Sequence, residues 1–298
     1  MTSKTKVVFE LSSNQGNNKI KTVALHPLKK WVGIINQNNT FSLWNYEEKI
    51  LIKSFSCNTL DDMPMMKGPV EVKEVVFFDR HCHVENGTMG KNSEKSQSEA
   101  EDVMSGRGAM KNNIVFVTSD KLIFYDYITD MIKPISGKDF EQKTIRRVCV
   151  YSKDKICIAM GDGSFKVLDI RDQSMKNSIS IKNVKGFHVK PITWIFPYSQ
   201  NTNELPRLIT ASGQDGLMAC WNIDMILKSN ENKEGFYTPC FKFTSQSKNA
   251  HNLNEEIKSL QYDPSSFRLL TVSDQHVRLW STMTGMEIKR VKNTLSLK

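Results

Sequence analysis

The chain has 298 residues, of which 39% are hydrophobic and 24% are charged, and its formal net charge is +9. These proportions are ordinary for a soluble globular protein, and a chain of this length builds a large core without needing disulfides or metals. No run of eighteen apolar residues occurs, so no transmembrane helix is predicted.

The N-terminal stretch MTSKTKVVFELSSNQG lacks the long apolar centre and the small-residue cleavage site of a signal peptide. Six cysteines are scattered along the chain without a CxxC pair, and most occupy strand-like apolar runs, where a free thiol behaves as a small hydrophobe. We therefore expect a reduced, cytoplasmic protein.

In chain order, the first predicted strands form a group of four joined by short polar turns. They are IKTVALHP (20–27), WVGIINQNN (31–39), TFSLWNY (40–46) and ILIKSF (50–55). A second group follows, with VKEVVFFD (72–79), NIVFVTSDK (113–121), LIFYDY (122–127) and MIKPIS (131–136). Residues 80–112, inside this second group, are polar, rich in Gly and Ser and almost free of aromatic residues, which predicts a disordered insertion.

Three more groups repeat the same order of strands. The third has IRRVCVYS (145–152), ICIAMGDG (156–163), SFKVLDI (164–170) and NSISI (177–181). The fourth has PITWIFPYS (191–199), RLITASGQDG (207–216), LMACWNI (217–223) and CFKF (240–243), with an insertion from about residue 228 to 237. The fifth has IKSLQYDP (257–264), RLLTVSDQ (268–275), HVRLWST (276–282) and MEIKRV (286–291).

The third strand of each group ends in an aromatic residue or leucine followed by Asn, Asp or Ser. The aligned positions are Trp44, Tyr125, Leu168, Trp221 and Trp280, with gaps of 81, 43, 53 and 59 residues. A period of about 40–45 residues with a Trp-Asp-like ending is typical of WD repeats, and the longer gaps contain insertions. We predict an all-β WD-repeat β-propeller with five four-stranded blades, in which the aligned residues pack between blades.

A single domain over residues 1–298 is expected, and it is expected to be incomplete. WD-repeat propellers usually have seven blades, and the chain ends directly after the fifth group, so we expect part of a seven-bladed ring. The strand KVVFEL (6–11) is a candidate to close such a ring by pairing in the last blade.

The sequence contains only weak matches to motifs of metal-binding or catalytic sites. His81-Cys82-His83 offers three metal-ligand types, but no second cluster follows at a finger-like spacing. Asp154, Asp162, Asp172 and Asp215 fall in or near turns, where Asp is normally used to bond the backbone. No nucleophile elbow GxSxG occurs. We therefore expect neither an enzyme nor a bound cofactor or metal.

The positive charge is the more informative feature. Residues 80–112 contain as many acidic as basic residues, so the excess lies on the propeller. The basic residues that we expect to face a partner or an anionic membrane are Arg146, Arg147, Lys182, Lys185 and Lys190; the last three are predicted in the connection between the third and fourth groups. No basic run with interleaved aromatic residues occurs, so nucleic-acid binding is not expected.

One pair of residues tests the strand assignment in the third group. Cys149 and Cys157 flank the turn YSKDK, so they are predicted to lie opposite each other, or one position apart, on adjacent antiparallel strands and to remain reduced.

Four stretches together resemble a known family. LHPLKKWVGIINQNNTFSLWNYEEKIL (25–51), EVKEVVFFD (71–79), LITASGQDGLMACWNID (208–224) and VRLWSTMTGMEIKRVK (277–292) are similar to the N-terminal propeller of the large WD-repeat subunit of TSET/TPLATE adaptor complexes. The opening stretch is also similar to coatomer α and β′ propellers. The resemblance implies a non-catalytic trafficking scaffold, peripheral on membranes, that assembles with adaptin-like subunits in endocytosis. A coatomer-type coat subunit, a ubiquitin-ligase substrate receptor and an RNA-processing scaffold are the alternatives.

Overall fold

A computed structural model describes residues 19–60, 70–79, 112–135, 140–152, 154–170, 180–198, 206–229, 235–244, 255–263 and 265–294. Twenty strands in these residues form five antiparallel sheets, each of four strands. Strand order within each sheet follows the sequence, because every strand pairs with its predecessor across a short connection or an insertion. The predicted propeller architecture with five four-stranded blades is confirmed.

The bounds of the strands are as follows. Blade 1 has β1 (Ile20–Leu25), β2 (Trp31–Asn36), β3 (Thr40–Asn45) and β4 (Ile50–Ser56), followed by a 3₁₀ turn at Cys57–Leu60. Blade 2 has β5 (Glu74–Asp79), β6 (Asn112–Val117), β7 (Leu122–Asp126) and β8 (Ile132–Ile135). Blade 3 has β9 (Ile145–Ser152), β10 (Lys155–Met160), β11 (Phe165–Asp169) and β12 (Ser180–Val184).

Blade 4 has β13 (Trp194–Tyr198), β14 (Arg207–Ala211), β15 (Met218–Trp221) and β16 (Phe241–Lys242). Between β15 and β16 lies a short helix, α1 (Ile223–Lys228). Blade 5 has β17 (Ser259–Asp263), β18 (Arg268–Val272), β19 (His276–Ser281) and β20 (Glu287–Lys292).

Two elements differ from the prediction. The fourth strand of blade 3 was placed at 177–181, but β12 extends to Val184, which is buried opposite Phe165. The Ile-Ser alternation at 177–181 resembles a strand on its own, yet pairing along the whole of β11 requires the later residues. Helix α1 was not predicted; it is capped at its N-terminus by Asn222, whose side-chain oxygen accepts a hydrogen bond from the Met225 backbone N–H at 3.1 Å.

Several sequence predictions lie outside the described residues. They are the insertion at 80–112 apart from Asn112, which opens β6, the candidate metal motif at 81–83, and the candidate closing strand at 6–11.

Cys149 and Cys157 are direct partners in the register of β9 and β10, and both are free thiols. The assignment of the third group of strands is therefore confirmed. Both side chains are buried, and burial is the main reason that the pKa of the Cys157 thiol lies well above its ordinary value.

Apolar side chains fill the spaces between consecutive blades. Four separate clusters join blade 1 to blade 2, blade 2 to blade 3, blade 3 to blade 4 and blade 4 to blade 5. Within the described residues, none of these clusters joins blade 5 to blade 1. The five described blades therefore form an arc held by four interfaces, and no described sheet covers the outward face of blade 1 or of blade 5.

The aligned positions show this arrangement directly, because all five occupy the same register position. In blades 1, 3, 4 and 5 the aligned residue lies opposite the second residue of the second strand, and in blade 2 Tyr125 lies opposite the third. All five side chains are on the same side of their sheets, which in blades 2 to 5 faces the preceding blade. Tyr125, Leu168, Trp221 and Trp280 are at most 4% exposed in the spaces between blades. Trp44 is only half-buried, since no described blade precedes blade 1.

The opposite end of the arc is open in the same way. Leu279 of blade 5 points away from blade 4 and is half-buried, whereas the residues at its register position in blades 1 to 4 are at most 3% exposed. Those residues are Leu43, Phe124, Val167 and Cys220. The uncovered face of blade 5 therefore has the composition of an interface between blades.

The different burial of equivalent tryptophans predicts different costs of truncation. Trp221→Ala should lower the free energy of unfolding by about 3–5 kcal/mol, because it removes a fully buried ring and the hydrogen bond from its Nε1 to Thr210. Trp44→Ala should cost less than half as much. Urea unfolding of this chain measures both values, and equal costs would show that another sheet covers the Trp44 face.

Candidate functional site: a basic groove at the upper end of the propeller

The first strands of the blades lie closest to the propeller axis, since adjacent blades approach each other through β1, β5, β9 and β13. We call the end at which these strands begin, and at which the second strands finish, the upper end. The connections between blades and the turns between second and third strands meet there. The side chains carried by these connections therefore form one continuous surface.

A groove of about 400 Å³ opens at the upper end around the beginnings of the first strands. We call it the basic groove; its lining residues are Lys73, Glu74, Arg146, Arg147, Pro191, Ile192, Thr193 and Gln214. Blades 2, 3 and 4 each contribute to it. The groove therefore depends on the packing of three blades and not on a single loop.

A β-bulge explains why two consecutive arginines reach the groove. In a regular strand, neighbouring side chains point to opposite faces, so one of the pair would be buried between blades. The register of β9 against β10 shifts between Arg147, opposite Ala159, and Ile145, opposite Met160. Arg146 is the extra residue of this bulge, and both arginines are exposed while Ile145 and Val148 are buried.

The charges in the groove do not balance. Glu74 accepts hydrogen bonds from Arg147 Nη1 at 3.4 Å and from the Val148 backbone N–H at 3.3 Å. Burial raises the pKa of Glu74 above its ordinary value, an effect that the Arg147 charge and these bonds only partly offset. Neither Lys73 nor Arg146 has an ion-pair partner among the described residues. The groove thus holds three cations and one carboxylate.

The five predicted basic residues do not form one cluster. Arg146 and Arg147 line the groove, and Lys190 directly precedes the lining residue Pro191. Lys182 lies within β12 rather than in a connection, because that strand extends beyond its predicted end, and its Nζ is 3.4 Å from the Ser229 carbonyl oxygen. Lys185 Nζ lies 5.2 Å from the centre of the Phe236 ring. Lys182 and Lys185 therefore belong to the outer edge of the propeller.

A second feature of the upper end is a row of side chains that point into the spaces between blades. The residues two positions before the aligned third-strand residues share this face, and they are Ser42, Ile123, Lys166, Ala219 and Arg278. Two of these are buried cations: Lys166 is 2% exposed and Arg278 is 7% exposed. A buried charge is costly without a partner, so each should be paired.

Each buried cation pairs with a glutamate from the connection that enters its blade. Lys166 Nζ lies 3.0 Å from Glu141 Oε1, and Arg278 Nη2 lies 2.8 Å from Glu255 Oε1. In blade 4 the corresponding residue is the small Ala219, and the His188 ring from the entering connection lies in the space that the longer side chains of Lys166 and Arg278 occupy in blades 3 and 5. Its Nε2 lies 2.9 Å from Thr210 Oγ1, which also accepts a hydrogen bond from Trp221 Nε1 at 2.8 Å.

Glu255 is the centre of the blade 5 cluster. Its carboxylate accepts hydrogen bonds from Ser273 Oγ at 2.6 Å and faces His276 Nδ1 at 2.8 Å, in addition to Arg278. Burial on its own raises the pKa of Glu255, but the bonds from Ser273 and His276 and the charge of Arg278 outweigh it and hold the pKa below the ordinary value.

Two of the four predicted turn aspartates, Asp162 and Asp215, bond the backbone as expected; Asp154 accepts a hydrogen bond from Ser152 Oγ at 2.7 Å, and Asp172 lies outside the described residues. Asp162 accepts a hydrogen bond from the Ser164 backbone N–H at 3.0 Å and pairs with Lys143 at 2.8 Å. Asp215 accepts from the Leu217 backbone N–H at 3.0 Å. No group of three or more His, Cys, Asp or Glu residues in the described part of the chain has the geometry of a metal site.

The fold is shared with 1313 chains of solved structures. One of them, "Structure of U3-55K", a WD-repeat protein, aligns over 95% of this chain and 66% of its own with a TM-score of 0.57 at 11% sequence identity. At this identity the likeness establishes the fold alone. No family model and no curated protein matches the sequence. This chain is a WD-like β-propeller.

The described residues contain no helix that is long and apolar enough to span a membrane.

The Glu255 cluster predicts a pH dependence of stability. Because the pKa of Glu255 is lower in the folded chain than its ordinary value of 4.5, the ionised carboxylate stabilises the fold above pH 4.5. This contribution is lost as the pH falls below 4.5 through the folded pKa. Glu255→Gln should therefore be destabilising at pH 7 and should flatten the decline in urea stability between pH 5 and pH 3. An unchanged slope would contradict the assignment.

Proposed function

We propose that the chain is a non-enzymatic protein-interaction scaffold whose basic groove binds an acidic segment of a partner protein. The observation that carries the proposal is the groove itself: three cations and one carboxylate, gathered from three blades around one depression. A rigid concave surface lined by cations raises the local concentration of an acidic partner and steers its approach.

The chemistry of the lining favours a peptide over the other anionic partners. Single-stranded nucleic acid is usually held by aromatic side chains on which its bases stack. None of the eight residues that line the groove is aromatic. A membrane surface contacts protruding basic residues more readily than residues within a depression, and here Arg146 and Arg147 lie inside one. An extended acidic segment needs no aromatic residues for base stacking and is narrow enough to enter a depression, so it fits this groove better than nucleic acid or a membrane does.

We further propose that the scaffold is a subunit of a vesicle-coat or endocytic adaptor complex of the TSET type, cytoplasmic and peripheral on membranes. The sequence resemblance in residues 25–51, 71–79, 208–224 and 277–292 supports this choice. These stretches belong to blades 1, 2, 4 and 5, so the resemblance extends over most of the arc. A coatomer-type subunit, a ubiquitin-ligase receptor and an RNA-processing scaffold are the alternative outcomes of the test.

Affinity purification of the tagged native full-length protein, with mass spectrometry of its partners, tests the cellular assignment. We expect adaptin-like large, medium and small chains. Recovery of coatomer subunits would move the assignment to a coatomer-type coat. Recovery of ligase or ribonucleoprotein components would contradict a role in trafficking while leaving the groove as a binding surface.

The groove has its own quantitative test. Lys73→Glu with Arg146→Glu reverses two charges that take part in no described ion pair, so the fold should persist. Binding of fluorescein-labelled deca-glutamate, measured by anisotropy, should weaken at least about tenfold. The matched control is Lys182→Glu with Lys185→Glu, which changes the net charge equally at the outer edge and should leave binding nearly unchanged. Equal losses in the two variants would show that only net charge matters.

Competing ligands distinguish the alternatives for the same groove. Vesicles with 30% phosphatidylserine and a 20-nucleotide poly-uridine are titrated in parallel at several salt concentrations. Tighter binding of poly-uridine than of the acidic peptide, with log affinity falling steeply against log salt, would overturn the peptide assignment in favour of RNA. Tighter binding of vesicles would favour direct membrane contact.

A further inference from the structure

A cavity of about 140 Å³ lies at the upper end between blades 4 and 5, apart from the basic groove. Its walls include Met218 and Phe243 of blade 4 and Thr271, Arg278 and Trp280 of blade 5. An engineered cavity of about 150 Å³ in another protein accommodates benzene, a molecule of six heavy atoms. The cavity is therefore large enough for one side chain and too small for a nucleotide or a folded element.

Blades 4 and 5 differ in the described residues around this cavity. In blade 4, the His188 ring reaches Thr210 Oγ1 from the entering connection. In blade 5, Thr271 and Trp280 repeat the bond between threonine and tryptophan at 2.8 Å. The described part of the connection that enters blade 5 begins at Glu255, whose carboxylate contacts Ser273, His276 and Arg278; within the described residues no histidine ring bonds Thr271.

Arg278 is incompletely satisfied at the edge of this cavity. Glu255 engages its Nη2 nitrogen, whereas its buried Nε has no hydrogen-bond partner among the described residues. The Arg278 side chain is only 8% exposed, and an unsatisfied donor on a buried guanidinium is costly. An oxygen acceptor in the cavity would supply what the guanidinium lacks.

The other residues that line the cavity indicate the polarity and charge of the ligand it would bind. Trp280, Phe243 and Met218 are apolar and suit a short aliphatic stem. Lys242 also lines the cavity, and its Nζ lies 5.3 Å from the centre of the Phe187 ring. Arg278 and Lys242 together outnumber the single carboxylate of Glu255, so the site favours a negatively charged occupant.

We propose that this cavity binds the carboxylate side chain of an aspartate or glutamate from a partner peptide, with its stem against Trp280 and its oxygens on Arg278. The turn Gly213–Leu217 of blade 4 connects the cavity to the basic groove, because Gln214 lines the groove and Gly216 and Leu217 line the cavity. An acidic segment bound in the groove would place a side chain in the cavity. The step from groove to cavity rests on the proposed function. The binding of a carboxylate in the cavity is argued from the cavity's own lining and does not depend on the groove.

Titration of capped single amino acids against the chain tests the cavity without any partner. The probes are N-acetyl-glutamate amide, N-acetyl-glutamine amide and N-acetyl-leucine amide at millimolar concentrations. The signals are the methyl resonances of Leu217, Met218 and Ile257 in a chain labelled at Met, Ile and Leu methyl groups. We expect the glutamate derivative to shift all three resonances and to bind about tenfold more tightly than the glutamine derivative. The leucine derivative should bind most weakly.

Two variants and one control variant locate the effect. Leu217→Trp should fill the cavity and abolish the shifts, whereas Leu28→Trp, at an exposed position of blade 1, should not. Arg278→Lys keeps the charge that faces Glu255 but removes the guanidinium nitrogens, and it should weaken binding of the glutamate derivative about tenfold.

Equal binding of the three probes, or an unaltered affinity in Arg278→Lys, would overturn the proposal. Because these titrations use no partner protein and no groove variant, their failure is distinguishable from a failure of the proposed function.

Discussion

The structure depends on one constraint: a four-stranded sheet that is apolar on both faces must have a neighbour on each side. In blade 2, Ile114 and Phe116 point to blade 1, while Val115 and Val117 point to blade 3, and all four are at most 1% exposed. Burial of an apolar side chain contributes roughly 1.5–3 kcal/mol, so each interface between blades contributes far more than the pairing of any single strand. Radial packing follows from this requirement.

The same constraint explains which sequence signals were reliable. Aligning Trp44, Tyr125, Leu168, Trp221 and Trp280 succeeds because every blade needs a large side chain at the same register position. Tyr125 and Leu168 depart from the Trp consensus without loss, since the space between blades requires volume and burial but not an indole. Apolar strands bounded by polar turns, such as SFKVLDI, were therefore placed to within a residue or two.

The polar sites were predictable only in part. Arg146 and Arg147 stand out as a basic pair, but the bulge that exposes both of them arises from the pairing of β9 with β10, which no local pattern encodes. Lys73 and Glu74 are 72 or more residues away from them in sequence. Lys166 and Arg278 did carry a signal: each lies two positions before an aligned residue, and period-2 alternation places a charge there on a buried face. Glu141 and Glu255 had no such signal, because they lie in irregular connections.

Buried ion pairs between blades also bear on how this arc differs from a regular array. Lys166 is buried but its partner Glu141 is half exposed, whereas both members of the pair Glu255–Arg278 are largely buried. Replacing a buried pair with well-packed apolar residues is often neutral or stabilising, and pairs with an exposed member contribute little, so neither pair explains stability alone. What they do is fix the position of each entering connection against the blade it enters. Glu141 adopts a positive φ of 55°, an uncommon backbone conformation for a residue with a side chain, while it contacts Lys166 and Lys143.

The connections held in this way carry the upper surface, and the paired residues Glu255 and Arg278 also line the cavity between blades 4 and 5. Blade 4 has the small Ala219 where blades 3 and 5 have buried cations, and His188 lies in the space that Ala219 leaves. The connection that follows His188 continues through Lys190 and Pro191 into the basic groove. Blade 5 has Arg278 at the position of Ala219, and Glu255 of its entering connection contacts Arg278 and Ser273. The two blades thus differ both at this register position, Ala219 against Arg278, and in the side chain that the entering connection presents, His188 against Glu255. Variation of this kind within a repeated frame is enough to give neighbouring interfaces different surroundings, with a cavity between blades 4 and 5.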